Sequence, residues 1–422
     1  MIPRPETISR TVARRYLLGR QGLWPGRRWA GMAGAEAAIR AIEALQLDAV
    51  TIVARSHDLI LWSRVDAYDP AMLDALVYRE RRFFEYGAHL DVYPIEELPF
   101  WGPHMRRRRE DDRYRDLVAA HPALLDELRA VVRERGPVGN RELAGGSRVI
   151  SYRGRKDTAL GLFHLWLAGE LMTHSRTGFE RRYDLRERVA PAEHDRLADE
   201  DEALAYFGGK WLRALGLGRV GDWAGDVGYA LHQRVDRAET GRRLATLTAT
   251  GEAAVVAIEG VKGDWYLPGE DVPLLEELAG GRIPAAWAPL GATTRDEVNL
   301  LSPLDNLLRR ERTRLIFGFD YLWEIYKPAE KRRWGAFTMP VVYDDRLVAR
   351  LDPKLDRRAG VLTIGGFWPE ADAPLDVPGF RAALARGIDR FAAFHGAGRV
   401  EIGPGADLLA GLLAGQPHLV PR

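Results

Sequence analysis

The chain has no cysteine among its 422 residues. That excludes disulfides, iron–sulfur clusters and Cys-ligated zinc, and it suits a cytoplasmic protein. No run of 18 or more apolar residues is present, so nothing is expected to span a membrane. The opening MIPRPETISR lacks the apolar stretch of a secretory signal. The metalloprotease pattern HExxH and the nucleophile elbow Gly-x-Ser-x-Gly are both missing. Gly208-Gly209-Lys210-Trp211 lacks the Ser/Thr and the upstream glycine of a phosphate-binding loop. Ten histidines occur without ligand spacing; His57, His164 and His174 read more readily as surface or core residues than as metal ligands. No metal and no cofactor is expected.

Lysine is scarce as well, at six of 61 basic residues. A GC-rich genome produces such an arginine bias without any selection for phosphate contacts. Two dense basic runs, Arg106-Arg107-Arg108-Arg109 and Lys331-Arg332-Arg333, stand out on a chain of net charge +1. A face that meets a polyanion looks like this, and so does a solvated helix face. With 46% hydrophobic and 29% charged residues the chain is globular. Its length suggests two to four domains.

Periodicity organises the chain. ETISRTVARRYLLGRQGL and AGAEAAIRAIEAL carry helical spacing. Extended structure is expected next, around Val50, Thr51, Ile52 and Val53, because these residues are β-branched. Residues 70 to 105 read as a connection. AHPALLDELRAVVRERG, PVGNREL and RKDTALGLFHLWLAGEL then give three helical segments, and MTHSRTGFERRYDL gives a hairpin around Thr177-Gly178. The order recurs in DEDEALAYFGGKWLRALGL, GRVGDWAGDVG and the stretch around LHQRVDRAE. The wing there is EAAVVAIEGVKGDWYLP, with its turn expected at Lys262-Gly263-Asp264. Beyond residue 300 three β-like runs form a meander, followed by a last helix in PGFRAALARGIDRFAAFHGA. The expected fold is α+β: three tandem winged helix-turn-helix units and a C-terminal β-rich part. The boundaries are 1–105, 106–192, 193–290 and 291–422.

One stretch, ALQLDAVTIVARSHDLILWSR at 44–64, puts an amide and a carboxylate two residues apart in an apolar run. If residues 45–50 are a strand, Gln46 and Asp48 share one face and Leu45, Leu47 and Ala49 the other. A helix would make the pair diverge, since two residues turn the chain by about 200°. A half-exposed strand has the same alternation with no chemistry attached, so both readings stand on spacing alone.

Gln46-Leu47-Asp48, followed by Val53-Ala54-Arg55-Ser56-His57 and Leu61-Trp62-Ser63-Arg64, resembles the Gln-apolar-Asp signature of the YcaQ (AlkX) branch of winged-helix DNA glycosylases. The sister AlkZ branch carries Gln-apolar-Gln. The resemblance continues through GELMTHSRTGFERRYDL and SPLDNLLRRERTRLIFGFDYLWEIYKPAEKRRWGAF. It implies three winged-helix units scaffolding a concave, basic DNA-binding surface. It also implies excision of N7-alkylated purines, including unhooking of interstrand crosslinks, on double-stranded DNA. The protein would then be nucleoid-associated and a monomer, since three such units span a duplex without a partner copy.

N7-alkylation makes guanine cationic and already a good leaving group. The enzyme then needs negative charge beside the developing oxocarbenium sugar and a water held for attack. Asp48 can supply the charge or act as base, and Gln46 can orient water or sugar. A Schiff-base lyase would use lysine as nucleophile, and none precedes Lys156. A monofunctional hydrolase leaving an abasic site is therefore expected. A crosslinked base cannot swing fully into an enclosed pocket, so an open site gripping the backbone is expected. Arg55, His57, Arg64, Arg181, Lys331, Arg332 and Arg333 are the candidates for that grip. Trp334 could wedge against bases or pack in the core. The competing reading is a non-enzymatic winged-helix regulator, whose DNA binding would not depend on Asp48.

Overall fold

The computed structural model describes residues 6–143, 157–414 and 419–421. Arg155 and Lys156, the first residues of one expected helix, lie outside the described residues. The chain divides into two compact units. One comprises Met1–Asp69, Gly216–Gly218 and Gly251–Arg422, and the other Pro70–Leu215 with Arg219–Thr250.

In the first unit, Ser9 accepts a hydrogen bond from the Val12 amide and starts the helix Arg10–Arg20. The helix Gly31–Ile42 follows and ends at Glu43 in the left-handed region, φ 65°. Both helices appear where periodicity expects them. The strand Glu6–Ile8 pairs in parallel with Ala253–Ile258, which pairs antiparallel with Val261–Pro268. Tyr16 on the first helix donates to Asp271 at 2.6 Å. Ile8, Val12, Leu17, Val256, Trp265 and Leu275 are buried in one cluster.

That wing was expected to close a unit built from the helices just before it. Instead it lies with the N-terminal helix, while Glu200–Leu215, Val220–Leu231 and Arg237–Ala249 lie in the second unit. Its turn also differs from expectation. The strands reverse at Glu259-Gly260, with Gly260 at φ 71°. Lys262-Gly263 forms a bulge, because Ala257 pairs with Asp264 and Ile258 with Val261.

The C-terminal part of the first unit contains the expected meander, Met339–Tyr343, Arg346–Asp356 and Val361–Pro369, paired antiparallel in sequence order. The helix Pro378–Phe394 connects it to Arg399–Gly405, which pairs in parallel with Val361–Pro369.

In the second unit the helix Leu124–Arg135 stops at Gly136, φ 80°. A single turn, Asn140–Glu142, and the helix Asp157–Leu167 follow. The hairpin Leu171–Thr177 and Glu180–Leu185 turns through Gly178 at φ 61°, as its sequence indicates. Residues 70–105 are more than a connection. Phe83–Tyr86 and Asp91–Pro94 form a hairpin whose two strands are buried throughout. Tyr86 and Tyr93 lie 5.2 and 4.7 Å from the Trp101 ring, and that aromatic packing orders a stretch that local propensity leaves undecided.

Candidate active site

The strand expected at 45–50 is only Leu45–Gln46. It ends because the Asp48 carboxylate competes for its own backbone, Oδ1 accepting from the Val50 amide at 2.7 Å. The alternation argument therefore applies to Gln46 but not to Asp48, which sits on a turn just beyond. Both side chains are half-buried. Among the described residues, the second Asp48 oxygen, Oδ2, has no hydrogen-bond partner and is available to a water or a substrate.

Distant residues hold this turn from both sides. The Asn306 amide donates to the carbonyls of Ile42 at 3.0 Å and Ala44 at 2.7 Å, immediately before the strand. On the far side, Arg357 donates to the Val53 carbonyl at 2.6 Å and the Thr51 carbonyl at 3.4 Å. The β-branched run 50–53 is thus a braced loop, not a strand. Arg312 in turn donates to the Asn306 and Leu307 carbonyls at 2.9 and 3.1 Å.

Arg64 was expected to grip DNA, but its side chain is fully enclosed. It makes a bidentate pair with Asp305 at 2.7 and 2.9 Å and donates to the carbonyls of Gln21 and Ile60 at 2.8 and 3.0 Å. Every guanidinium nitrogen has an internal acceptor, so no charge faces outward. His57 is buried too, at 2% exposure. Arg55 is partly exposed and forms a fork with Asp58 at 2.6 and 3.1 Å, where Tyr68 also donates at 2.9 Å.

In the second unit, Arg181 lies on the hairpin within 3.3 Å of Glu85 and 4.3 Å above the Trp166 ring. Glu85 is fully buried and also binds Arg176 at 2.6 and 2.7 Å and the Tyr78 hydroxyl. Burial alone would raise the Glu85 carboxyl; the hydrogen bonds and charge of Arg176, with Arg181 and Tyr78, hold it down at about 2. Each arginine of the Arg106–Arg109 run has a carboxylate within 4 Å, two of them sharing one. Arg106 and Arg107 meet Glu200, Arg108 meets Asp111, and Arg109 lies 3.8 Å from Glu170.

The run 331–333 behaves differently. Lys331 and Arg333 are exposed, and among the described residues neither has a carboxylate within ion-pair distance. Arg332 is a brace, donating to the carbonyls of Lys327 at 3.0 Å and Ile325 at 3.2 Å. Trp334 is half-buried, with Arg333 and Arg350 over its ring at 4.5 and 4.3 Å. No three His, Asp or Glu side chains among the described residues converge as a metal site requires. No described helix is long and apolar enough to cross a membrane.

The fold is mixed α+β, and among the described residues it presents a short polar motif with one carboxylate oxygen that no protein group hydrogen-bonds and two exposed cations without a carboxylate partner. Streptomyces sahachiroi DNA glycosylase AlkZ has a similar fold, with a TM-score of 0.59 at 17% identity over 94% of this chain and 100% of that one. The family model for AlkZ-like DNA glycosylases matches residues 39–394, and the chain belongs to that family. It is a DNA glycosylase, a DNA-binding protein of DNA repair.

Sequence reasoning missed Asp305, Asn306 and Arg357. The first two lie inside the SPLDNLLRRERTR stretch that carries the resemblance, which was the one signal that could have drawn notice to them.

Proposed function

We propose that the protein hydrolyses the N-glycosidic bond of N7-alkylated purines in double-stranded DNA, interstrand crosslinks included, as a monofunctional glycosylase that leaves an abasic site. The observation that carries this reading is the braced turn: Asp48 offers one carboxylate oxygen without a protein partner among the described residues, two residues from Gln46. An alkylated purine leaves as a neutral base once the glycosidic bond breaks. The barrier then lies in the cationic sugar and in placing water. Asp48 stabilises the oxocarbenium charge electrostatically or takes the proton of the attacking water, and Gln46 orients that water. A carboxylate also favours a cationic lesion over a neutral base. Bracing from both sides fixes the geometry before substrate arrives, which is where such electrostatic stabilisation is most effective.

Winged-helix units would supply the scaffold, the elements from Leu124 to Leu185 forming one of them. Lys331 and Arg333, exposed and without carboxylate partners among the described residues, would grip phosphates, with Arg55 nearer the motif in sequence. Arg64, His57 and Arg332 serve as internal supports in this scheme. The protein would act as a monomer in the nucleoid.

The test uses purified protein with two duplexes, one carrying a single N7-methylguanine and one a nitrogen-mustard crosslink. Alkali-induced strand cleavage at both lesions is expected. Binding of both without cleavage of either would defeat the proposal in favour of a regulator.

A further inference from the structure

Tyr326 is 81% exposed, the most exposed large apolar side chain among the described residues. Its backbone is held on both sides. The carbonyls on either side of it, of Ile325 and Lys327, both accept from the single guanidinium of Arg332, at 3.2 and 3.0 Å. The buried Glu324 carboxylate ties the same loop together, accepting from the Lys327 ammonium at 2.6 Å and from the amides of Arg333 and Trp334 at 2.8 and 2.9 Å. Trp323 meets the Tyr326 ring edge-on at 5.8 Å and is itself anchored by its indole N–H on the Ala336 carbonyl at 3.1 Å. The fold therefore holds an aromatic ring in water on a stiff turn. Lys331 and Arg333, exposed and without carboxylate partners among the described residues, belong to the same loop.

An exposed ring on a braced loop that also carries cations without carboxylate partners among the described residues suits an unpaired nucleic-acid strand. Bases stack on the ring whatever their identity, and the cations meet the phosphates that follow. Holding the ring in place beforehand lowers the ordering cost of that contact. We propose that Tyr326, with Lys331 and Arg333, is a platform for an unpaired DNA strand, engaging bases opened beside the lesion. The proposal rests on the excision reading above only for where such a strand arises. Within the 327–333 run only Glu330 opposes four cations, so the charge is complementary to phosphate.

The test measures fluorescence anisotropy with a twelve-nucleotide oligothymidylate that contains no lesion. Tyr326→Ala should bind it roughly ten-fold more weakly, with an unchanged circular dichroism melting curve. Tyr326→Phe should bind within about two-fold of the wild type, since it keeps the stacking face. Arg333→Ala should lower the slope of log K against log salt by about 0.7, the value for one phosphate on a single strand. Equal binding by the wild type and Tyr326→Ala overturns the platform. So does wild-type protein that prefers a polyglutamate peptide to the oligonucleotide, which would make the partner an acidic protein segment. Tyr326-dependent strand binding by a protein that excises no N7-methylguanine supports the platform while overturning the excision reading.

Discussion

Arg64 and Asp305 form a fully enclosed bidentate ion pair across 241 residues of sequence, at 2.7 and 2.9 Å. The pair joins the segment that follows the Gln46-Leu47-Asp48 motif to the SPLDN segment, whose last residue, Asn306, holds the chain ahead of the motif. Removing one partner strands a buried charge, so Asp305→Ala should destabilise the fold by about 3–5 kcal/mol. Arg64→Lys should recover only part of that, because an ammonium cannot reproduce the two parallel bonds. Urea unfolding of the three proteins checks both values.

The Asn306 side chain hydrogen-bonds backbone carbonyls just ahead of the motif, and its loss should register as misplaced catalysis rather than failed binding. Asn306→Ala leaves the carbonyls of Ile42 and Ala44 without their amide donor. Single-turnover excision of N7-methylguanine should slow by about 10²-fold, the scale expected when a reacting group shifts by about 1 Å. The Kd for the lesion duplex should stay within about three-fold. A fall in affinity with an unchanged rate would show that Asn306 does not position the site.

Arg357 makes the matching contact on the other side of the turn, and its guanidinium lies in the 357–360 reversal of the meander. Arg357→Ala should loosen residues 51–53. Amide hydrogen exchange there should accelerate while exchange in Val361–Pro369 is unchanged.

Glu85 gives a pH-dependent prediction. Its folded-state carboxyl is held at about 2, below the ordinary value of 4.5. The stability it contributes is therefore fully present above pH 4.5 and is lost as pH falls towards about 2. Glu85→Gln should destabilise the protein by about 3 kcal/mol or more at pH 7, since Arg176 and Arg181 lose their shared acceptor. The stability gap between this variant and the wild type should close between pH 4.5 and 2 in urea titrations.

What the sequence disclosed and what it concealed divide along contact range. The helix Arg10–Arg20 with its Ser9 cap, the hairpin turning at Gly178 and the meander from Met339 to Pro369 follow from local spacing and turn chemistry, and all were legible. Asp48 was legible as a residue but not as a conformation, because its carboxylate ends the strand that its neighbours' propensity favours. Arginine reads as a surface residue, so the burial of Arg64 depended on Asp305, which no local pattern pairs with it. The same holds for Arg181, whose acceptor, Glu85, is 96 residues away. The wing at 253–268 joins the N-terminal strand, a pairing across about 250 residues that spacing cannot announce.

The most direct test of the account is Asp48→Asn, an isosteric change that keeps an oxygen for the Val50 amide and removes the charge. The measurement is single-turnover excision from the N7-methylguanine duplex, alongside the Kd for the same duplex. The account predicts a rate lowered by about 10²–10³-fold, the scale seen when one group stabilising transition-state charge is removed, with affinity and melting temperature nearly unchanged. Excision by Asp48→Asn at the wild-type rate would contradict it.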